Sequence, residues 1–259
     1  MRSIWTGAIG FGLVNIPIKM YSGVQASELN LDMIDSKDQA RIKYQRINES
    51  TGKEVKYENI VKAYNYNDKY VILEDADFKE ASPEQTKTIN IEDFVDQKEI
   101  DTIYYENVYF LEPDKSGIRP YALLREALKK SGKVGIATYV MRSKESLGVV
   151  SVYKNALILN KIRFAEEIRD VDDLKLPESS AIKKPEMEMA MALIEKFSGK
   201  FDLTSYKDTY TEKLMERIKA KAEGIKIKEP KMKVVHKQDN DLMAQLKASM
   251  EAGKKRKTA

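Results

Sequence analysis

Short runs of β-branched and aromatic residues, set apart by turn-forming residues, constrain the fold more than any other feature of this chain. Residues 3 to 22, SIWTGAIGFGLVNIPIKMYS, read as two strands meeting near Gly10 to Leu13. Pro17 has no N–H to give to a ladder, so the second strand is expected to lie at an edge or carry a bulge there. In RIKYQRI, Arg41 and Lys43 alternate with Ile42 and Tyr44, which predicts a strand with cations on one face and apolar bulk on the other. Further short strands are expected at VKAYNY, YVIL, KTINI and VYFLE. GIATYVMR, GVVSVY and ALILNKIRF then read as an antiparallel meander that closes the sheet. This is the spacing of a barrel or a sandwich. One helix interrupts it: PYALLREALKKSG sets Tyr121, Leu124 and Leu128 on one stripe and ends at Gly132.

Beyond Pro177 the pattern turns helical. In PEMEMAMALIEKFSG, Pro185 suits a first turn, Met187, Ala190, Met191 and Ile194 make one face, and Gly199 ends the helix. In SYKDTYTEKLMERIKAKAEG, Tyr206, Tyr210, Leu214 and Ile218 recur every four residues up to Gly224. That stripe fits either its own core or a partner. From Ile225 onward little apolar bulk remains, and the tail is expected to be disordered without a partner. Asp239 to Ala252 could form a short helix, marginal by itself. The chain thus reads as a core over 1–184, a helical arm over 185–224 and a lysine-rich tail over 225–259.

Residue usage excludes several kinds of chemistry. Without cysteine there is no disulfide, thiolate nucleophile or sulfur-ligated metal. The one histidine, His236, sits among lysines near the end, so neither a Ser-His-Asp triad nor a histidine metal site is expected. GFGLVN lacks the third glycine of a dinucleotide fingerprint, and no phosphate-binding G-x-x-x-x-G-K-[ST] loop occurs. No apolar run approaches the ~20 residues of a membrane span, and no secretory signal is evident. The chain is therefore expected to stay in the cytoplasm. Carboxylates cluster at Glu92, Asp93, Asp96, Glu99 and Asp101, and again from Glu166 to Asp173. Their simplest reading is a solvated surface; a metal-dependent nuclease is the catalytic alternative.

Charge supplies the positive signal. The net charge of +4 is unevenly spread, because Lys213 to Ala259 carry 14 Lys and Arg against 6 Asp and Glu, whereas residues 1 to 212 carry 31 against 35. Such asymmetry is the usual mark of a tail that meets a polyanion, nucleic acid or an anionic membrane surface, with a solvated solubility tail as the plain alternative. Other cations fall at informative places: Lys19; Arg41, Lys43 and Arg46; Lys129, Lys130 and Lys133; Arg142 and Lys144; Lys161 and Arg163. Lys254, Lys255, Arg256 and Lys257 end the chain. Spread over a barrel, these could follow a phosphate backbone, each neutralised phosphate releasing counterions. None forms an obvious base-reading arrangement.

The opening RSIWTGAIGFGLVNIPIKMY, with Arg2, Ile4, Trp5, Gly7, Ile9, Phe11, Gly12, Leu13, Val14, Pro17, Lys19 and Tyr21, closely resembles the N-terminus of prokaryotic Ku proteins. The likeness continues through YENIVKAYNYNDKYVIL, FVDQKEIDTIYYENVYFLEPDK, YALLREALKKSGKVGIA and LILNKIRFAEEIR to FDLTSYKDTYTEKLMERIKAKAEG, covering about residues 1 to 224 in order. Gly10 stands where the family commonly has serine and Thr102 where it has proline, and the tail is shorter than in some relatives. The resemblance implies a mixed α+β fold with an antiparallel β-barrel core and a helical arm. It implies a homodimeric ring that threads double-stranded DNA ends without sequence preference, at the nucleoid. It also implies recruitment of ligase D in non-homologous end joining, with no catalysis and no cofactor. The cations above become candidate phosphate contacts, and Tyr206, Tyr210, Leu214 and Ile218 candidate ligase-docking residues. A protein-binding scaffold with weak DNA affinity is the other alternative.

Overall fold

The computed structural model describes residues 1–25, 27–81, 87–141, 144–177, 182–225 and 242–256. Two compact units emerge: Met1–Ala26 with Asn30–Asp170, and Ser27–Leu29 with Val171–Ala259.

In the first unit, β1 (Trp5–Phe11) and β2 (Val14–Ser22) form an antiparallel hairpin in which Ile9 faces Ile16. Two short strands follow, β3 (Lys62–Tyr66) and β4 (Lys69–Leu73), then a one-turn helix α1 (Asp75–Glu80). Next come β5 (Thr88–Asp96), β6 (Tyr105–Pro113), α2 (Ile118–Ser131), β7 (Lys133–Met141), β8 (Lys144–Tyr153) and β9 (Ala156–Ile162). Seven of these strands close into a barrel in the order β1-β2-β6-β9-β8-β7-β5. Closure is made by β5 lying parallel to β1, with Ala8 opposite Thr88 and Phe11 opposite Ile91. The antiparallel barrel expected from the sequence is thus present, with this one parallel pair as its exception. A connection through β3, β4 and α1 separates β1 from β5 in the chain and lets them run the same way.

Alternation along the strands sends one row inward. Ile9, Ile16, Ile18, Met20, Ile89, Ile91, Leu111, Tyr139, Val150 and Leu159 are all buried and form one cluster, which Tyr121, Leu124 and Leu128 of α2 extend. Each large aliphatic side chain so buried contributes about 1.5–3 kcal/mol. The Tyr121 hydroxyl donates to the Leu111 carbonyl and accepts from the Leu157 N–H, both at 2.7 Å, pinning α2 to β6 and β9. Tyr139 needs room inside this row, and Gly148 provides it: a Cβ there would come within 2.7 Å of Leu159 and 3.2 Å of Tyr139. On the opposite face of the sheet, Val134, Val149 and Ile162 form a second cluster with Val95, Ile100 and Tyr104.

Pro17 is tolerated because the β2–β6 ladder begins only at Ile18, leaving β1 as the sole neighbour at that point among the described strands. The pair β3 and β4 was expected in the barrel, yet it forms a separate two-stranded sheet, with all but Leu73 of its residues exposed. Nor is RIKYQRI a strand. Only isolated bridges occur, Ile34 with Arg41 and Ile47 with Glu54, each closed by a local turn, and Ile42 and Tyr44 stay exposed. Alternation alone does not make a strand where no partner ladder is available.

The second unit holds α3 (Lys184–Phe197), α4 (Thr209–Ala222) and α5 (Leu242–Arg256). It starts at Val171, ahead of the 184/185 boundary expected from the sequence. α3 packs on α5, and Lys196 donates its ammonium to the Met250 carbonyl. Of the expected stripe on α3, Ala190 is half-buried, as are Met189, Leu193 and Lys196, whereas Met187, Met191 and Ile194 are exposed. α5 overlaps the segment 239–252 where the sequence allows a short helix, and half-buried Met243, Leu246 and Met250 recur along it at helical spacing. Residues 226–241, including His236, lie outside the described residues.

Candidate nucleic-acid interface

α2 ends where Gly132 takes a left-handed conformation, φ 69°, and its N–H closes on the Leu128 carbonyl. A glycine adopts that geometry without the Cβ penalty of other residues. The turn redirects the chain from helix to β7 and sets Lys129 and Lys130 in the last helical turn, with Lys133 opening the strand. Cations there are favoured by the negative end of the helix dipole. Lys129 and Lys133 line a groove of about 450 Å³ together with Gln97, Ser151 and Lys154. Lys154 comes from the β8–β9 turn, with φ 54°, and its ammonium lies 5.3 Å from the centre of the Tyr153 ring. Asp96 approaches Lys133 at 3.9 Å and offsets part of this charge. Sequence reading missed Lys154 because a single lysine in YKN carries no pattern. Its position in a tight turn between two antiparallel runs was the available signal.

A second group gathers where β6, β8 and β9 meet. Lys161 shares the inward row of β9 with Leu159, and its ammonium lies 2.6 Å from the Glu106 carboxylate on bulged β6. Hydrogen bonding to Lys161 holds Glu106 below the ordinary carboxylate range, assisted by the charges of Lys161, Arg163 and Lys144. Arg163 donates to the carbonyls of Ile103 and Tyr105 at 3.2 and 3.0 Å, fastening the segment that enters β6. These two cations are thus engaged within the barrel, and Lys144 stands beside them on β8. Arg142 lies outside the described residues.

Lys19 points away from the core, opposite Glu112 in the β2–β6 ladder, where Glu112 accepts a 2.5 Å hydrogen bond from Tyr21. That bond, more than anything else, raises the Tyr21 hydroxyl above its ordinary value. Arg41 pairs with Asp32 at 3.1 Å, Arg46 lies 5.1 Å from the centre of the Tyr57 ring, and Lys43 is exposed between them. The three do not share a strand. In the tail, Lys254, Lys255 and Arg256 fall on the last turn of α5, with their side chains outside the described residues, as is all of Lys257.

The stripe predicted for ligase docking is divided. Asp208 caps α4 by accepting from the N–H groups of Tyr210 and Thr211, both at 3.1 Å, so Tyr206 lies ahead of the helix in a turn beside Phe201. Tyr210 and Ile218 are exposed on α4, and Leu214 is half-buried. Met187, Met191, Ile194 and Phe197 make a second exposed apolar stripe on α3.

The acidic residues serve local structure. Glu92 accepts from the Thr138 hydroxyl at 2.7 Å, Asp96 meets Lys133, and Asp101 caps a turn through the Ile103 N–H. Among the described residues no three acidic or imidazole side chains gather as a metal-holding group.

Comparison with known proteins fits this geometry. Residues 10–191 match the family model described as the Ku70/Ku80 beta-barrel domain. The "Non-homologous end joining protein Ku" of Cupriavidus necator is 42% identical over 86% of this chain and 68% of that one. The protein of the same name from Coxiella burnetii is 39% identical over 99% and 96% of the two chains. That from Bacillus subtilis is 36% identical over 97% and 82%. A solved structure, the SPOC domain of human PHD-finger protein 3, matches 62% of this chain and 95% of its own at 12% identity with a TM-score of 0.30, too slight a likeness to bear on fold or function. A closed barrel matched by the Ku model from Gly10 through its last strand, in a chain aligned nearly end to end with a bacterial Ku protein, makes this chain a member of the Ku family.

Proposed function

We propose that this chain is a non-catalytic, sequence-independent binder of double-stranded DNA ends that acts in non-homologous end joining. It closes as a homodimeric ring on the end and recruits a bacterial repair ligase of the ligase D type. The name shared by its relatives supports the pathway. The observation that carries the binding mode is the groove where Lys129, Lys133 and Lys154 converge from a helix end, a strand start and a hairpin turn. Lysines on three elements are suited to phosphates, which each ammonium meets as a point charge. A second copy is supported by the β3–β4 ribbon, whose face bearing Ala63, Tyr70 and Ile72 is uncharged and exposed. A two-stranded ribbon is marginal in water until something covers it. The apolar stripes on α3 and α4 fit a protein partner such as the ligase.

The test is a salt titration of linear duplex binding by the wild type and by K129A/K133A/K154A. If the groove holds phosphates, the triple variant binds at least tenfold more weakly, and the slope of log K against log salt becomes shallower by up to about 2.7. An unchanged slope removes the groove from the interface.

A further inference from the structure

One carboxylate is outnumbered at the end of the barrel where β7 stops and β8 begins. Lys161 stands on the inward row of β9 after Leu157 and Leu159, and Lys144 opens the inward row of β8 that continues through Ser146 and Gly148. Lys144 lies opposite Met141, whose side chain packs on the main core, and that pairing sets the side on which the lysine projects. Arg163 follows directly on β9. The charges of all three cations act on the carboxyl of Glu106, and the strongest single influence is its hydrogen bond to Lys161. Three cations against one carboxylate leave an excess of two positive charges. Among the described residues no carboxylate stands on the inward rows of β7, β8 or β9, because Glu145, between Lys144 and Ser146, belongs to the outward row.

Glu106 reaches Lys161 because β6 bulges between Tyr105 and Val108, and a bulge re-aims the side chain of its extra residue. Both partners of the 2.6 Å contact keep less than a third of their side-chain surface exposed. Arg163 is held in place, since its guanidinium donates to the carbonyls of Ile103 and Tyr105. Lys161 is not held in this way, because an ammonium on a flexible four-carbon stem can change partners. Carboxylate and phosphate are both oxyanions that cations meet through charge-assisted hydrogen bonds. A single carboxylate leaves the cluster positive, and a positive cleft draws a further anion. We propose that Glu106 holds, in the free protein, the place of a backbone phosphate of duplex DNA, and that Lys161 passes from Glu106 to that phosphate when DNA binds. Glu106 is thus a positioning residue that keeps the Lys161 ammonium in place and opposes binding until a phosphate displaces it. This rests on the end-binding reading given above and adds to it a second phosphate site, apart from the groove of Lys129, Lys133 and Lys154.

The experiment follows binding of linear duplex DNA by full-length wild type, E106Q, K161Q, E106Q/K161Q and E145Q, using fluorescence anisotropy over a salt titration, with each variant first checked for cooperative melting. E106Q frees the Lys161 ammonium and is expected to bind more tightly than wild type. Its advantage should grow about threefold as salt falls from about 200 to 50 mM, the share of one further phosphate contact. K161Q binds more weakly than wild type, and E106Q/K161Q shows none of the gain. E145Q removes the same charge from the outward row and keeps the wild-type slope. A gain that survives in E106Q/K161Q, or that E145Q matches, is a bulk charge effect and overturns the exchange. E106Q at or below wild-type affinity, or K161Q at wild-type affinity, also overturns it, while duplex binding by wild type leaves the end-binding reading intact. Failure of wild type to hold linear duplex overturns both.

Discussion

Replacing Tyr121 with phenylalanine isolates one hydroxyl that joins α2 to two barrel strands. The ring is 5% exposed and sits in the main core cluster, so Phe preserves its packing and removes only the oxygen. Two partners are then stranded, the Leu111 carbonyl and the Leu157 N–H, each 2.7 Å from that oxygen in the wild type. Leu111 and Leu157 are 2% and 0% exposed, so solvent does not replace the lost partner. An unsatisfied buried backbone group costs ~1–3 kcal/mol, and relief from burying the hydroxyl offsets part of it, giving a net loss of about 2–4 kcal/mol. Urea denaturation should show a lower midpoint with an unchanged slope, and melting should fall by roughly 5–15 °C for a unit of this size. A loss below about 0.5 kcal/mol would refute the bridge and mean that strand and helix pair without it.

Three further outcomes follow from the same geometry. Glu106 titrates below its ordinary value in the folded chain, so its contribution is present above the unfolded value near 4.5 and is lost as pH falls through the lower folded value. Wild type should therefore lose more stability than E106Q between neutral pH and the acid range, a difference read from melting curves across pH. G132A forces a Cβ into a left-handed position and should cost about 1–2 kcal/mol in chemical denaturation, loosening the start of β7. Truncation after Gly224 should weaken binding to linear duplex and lower its salt dependence, because the segment lost carries 10 Lys and Arg against 4 Asp and Glu. It should leave any preference for ends over closed circles intact, as measured by gel shift.

Most of the barrel was legible in the sequence because its strands carry a buried row on a period of two, as in Ile16, Ile18 and Met20 of β2. Gly132 likewise marks the end of α2 as expected. The parallel closure of β1 on β5 was not legible, since pairing across the β3–β4 insertion leaves no local trace. Arg41 to Ile47 shows the converse, a strand-like alternation with no ladder to join. Among the candidate cations, sequence could name lysines but not their partners. Lys161 and Glu106 are far apart in the chain, and only the β6–β9 register brings them together. Lys154 entered the groove by the same route, through strand order rather than through its neighbours in sequence. On α3 the stripe of Met187, Ala190, Met191 and Ile194 reads as a packing face, yet only Ala190 of it is half-buried, while Met189 and Leu193 outside it are half-buried on a helix that meets α5.

The ring proposed for this protein would encircle DNA only by way of an end. The most direct measurement is retention on linear duplex against covalently closed circles of the same sequence, followed by relinearisation of the circles with a nuclease. A ring that loads at ends is retained strongly on linear molecules and little on circles, with recovery once the circles are cut. Equal retention on closed circles would contradict it.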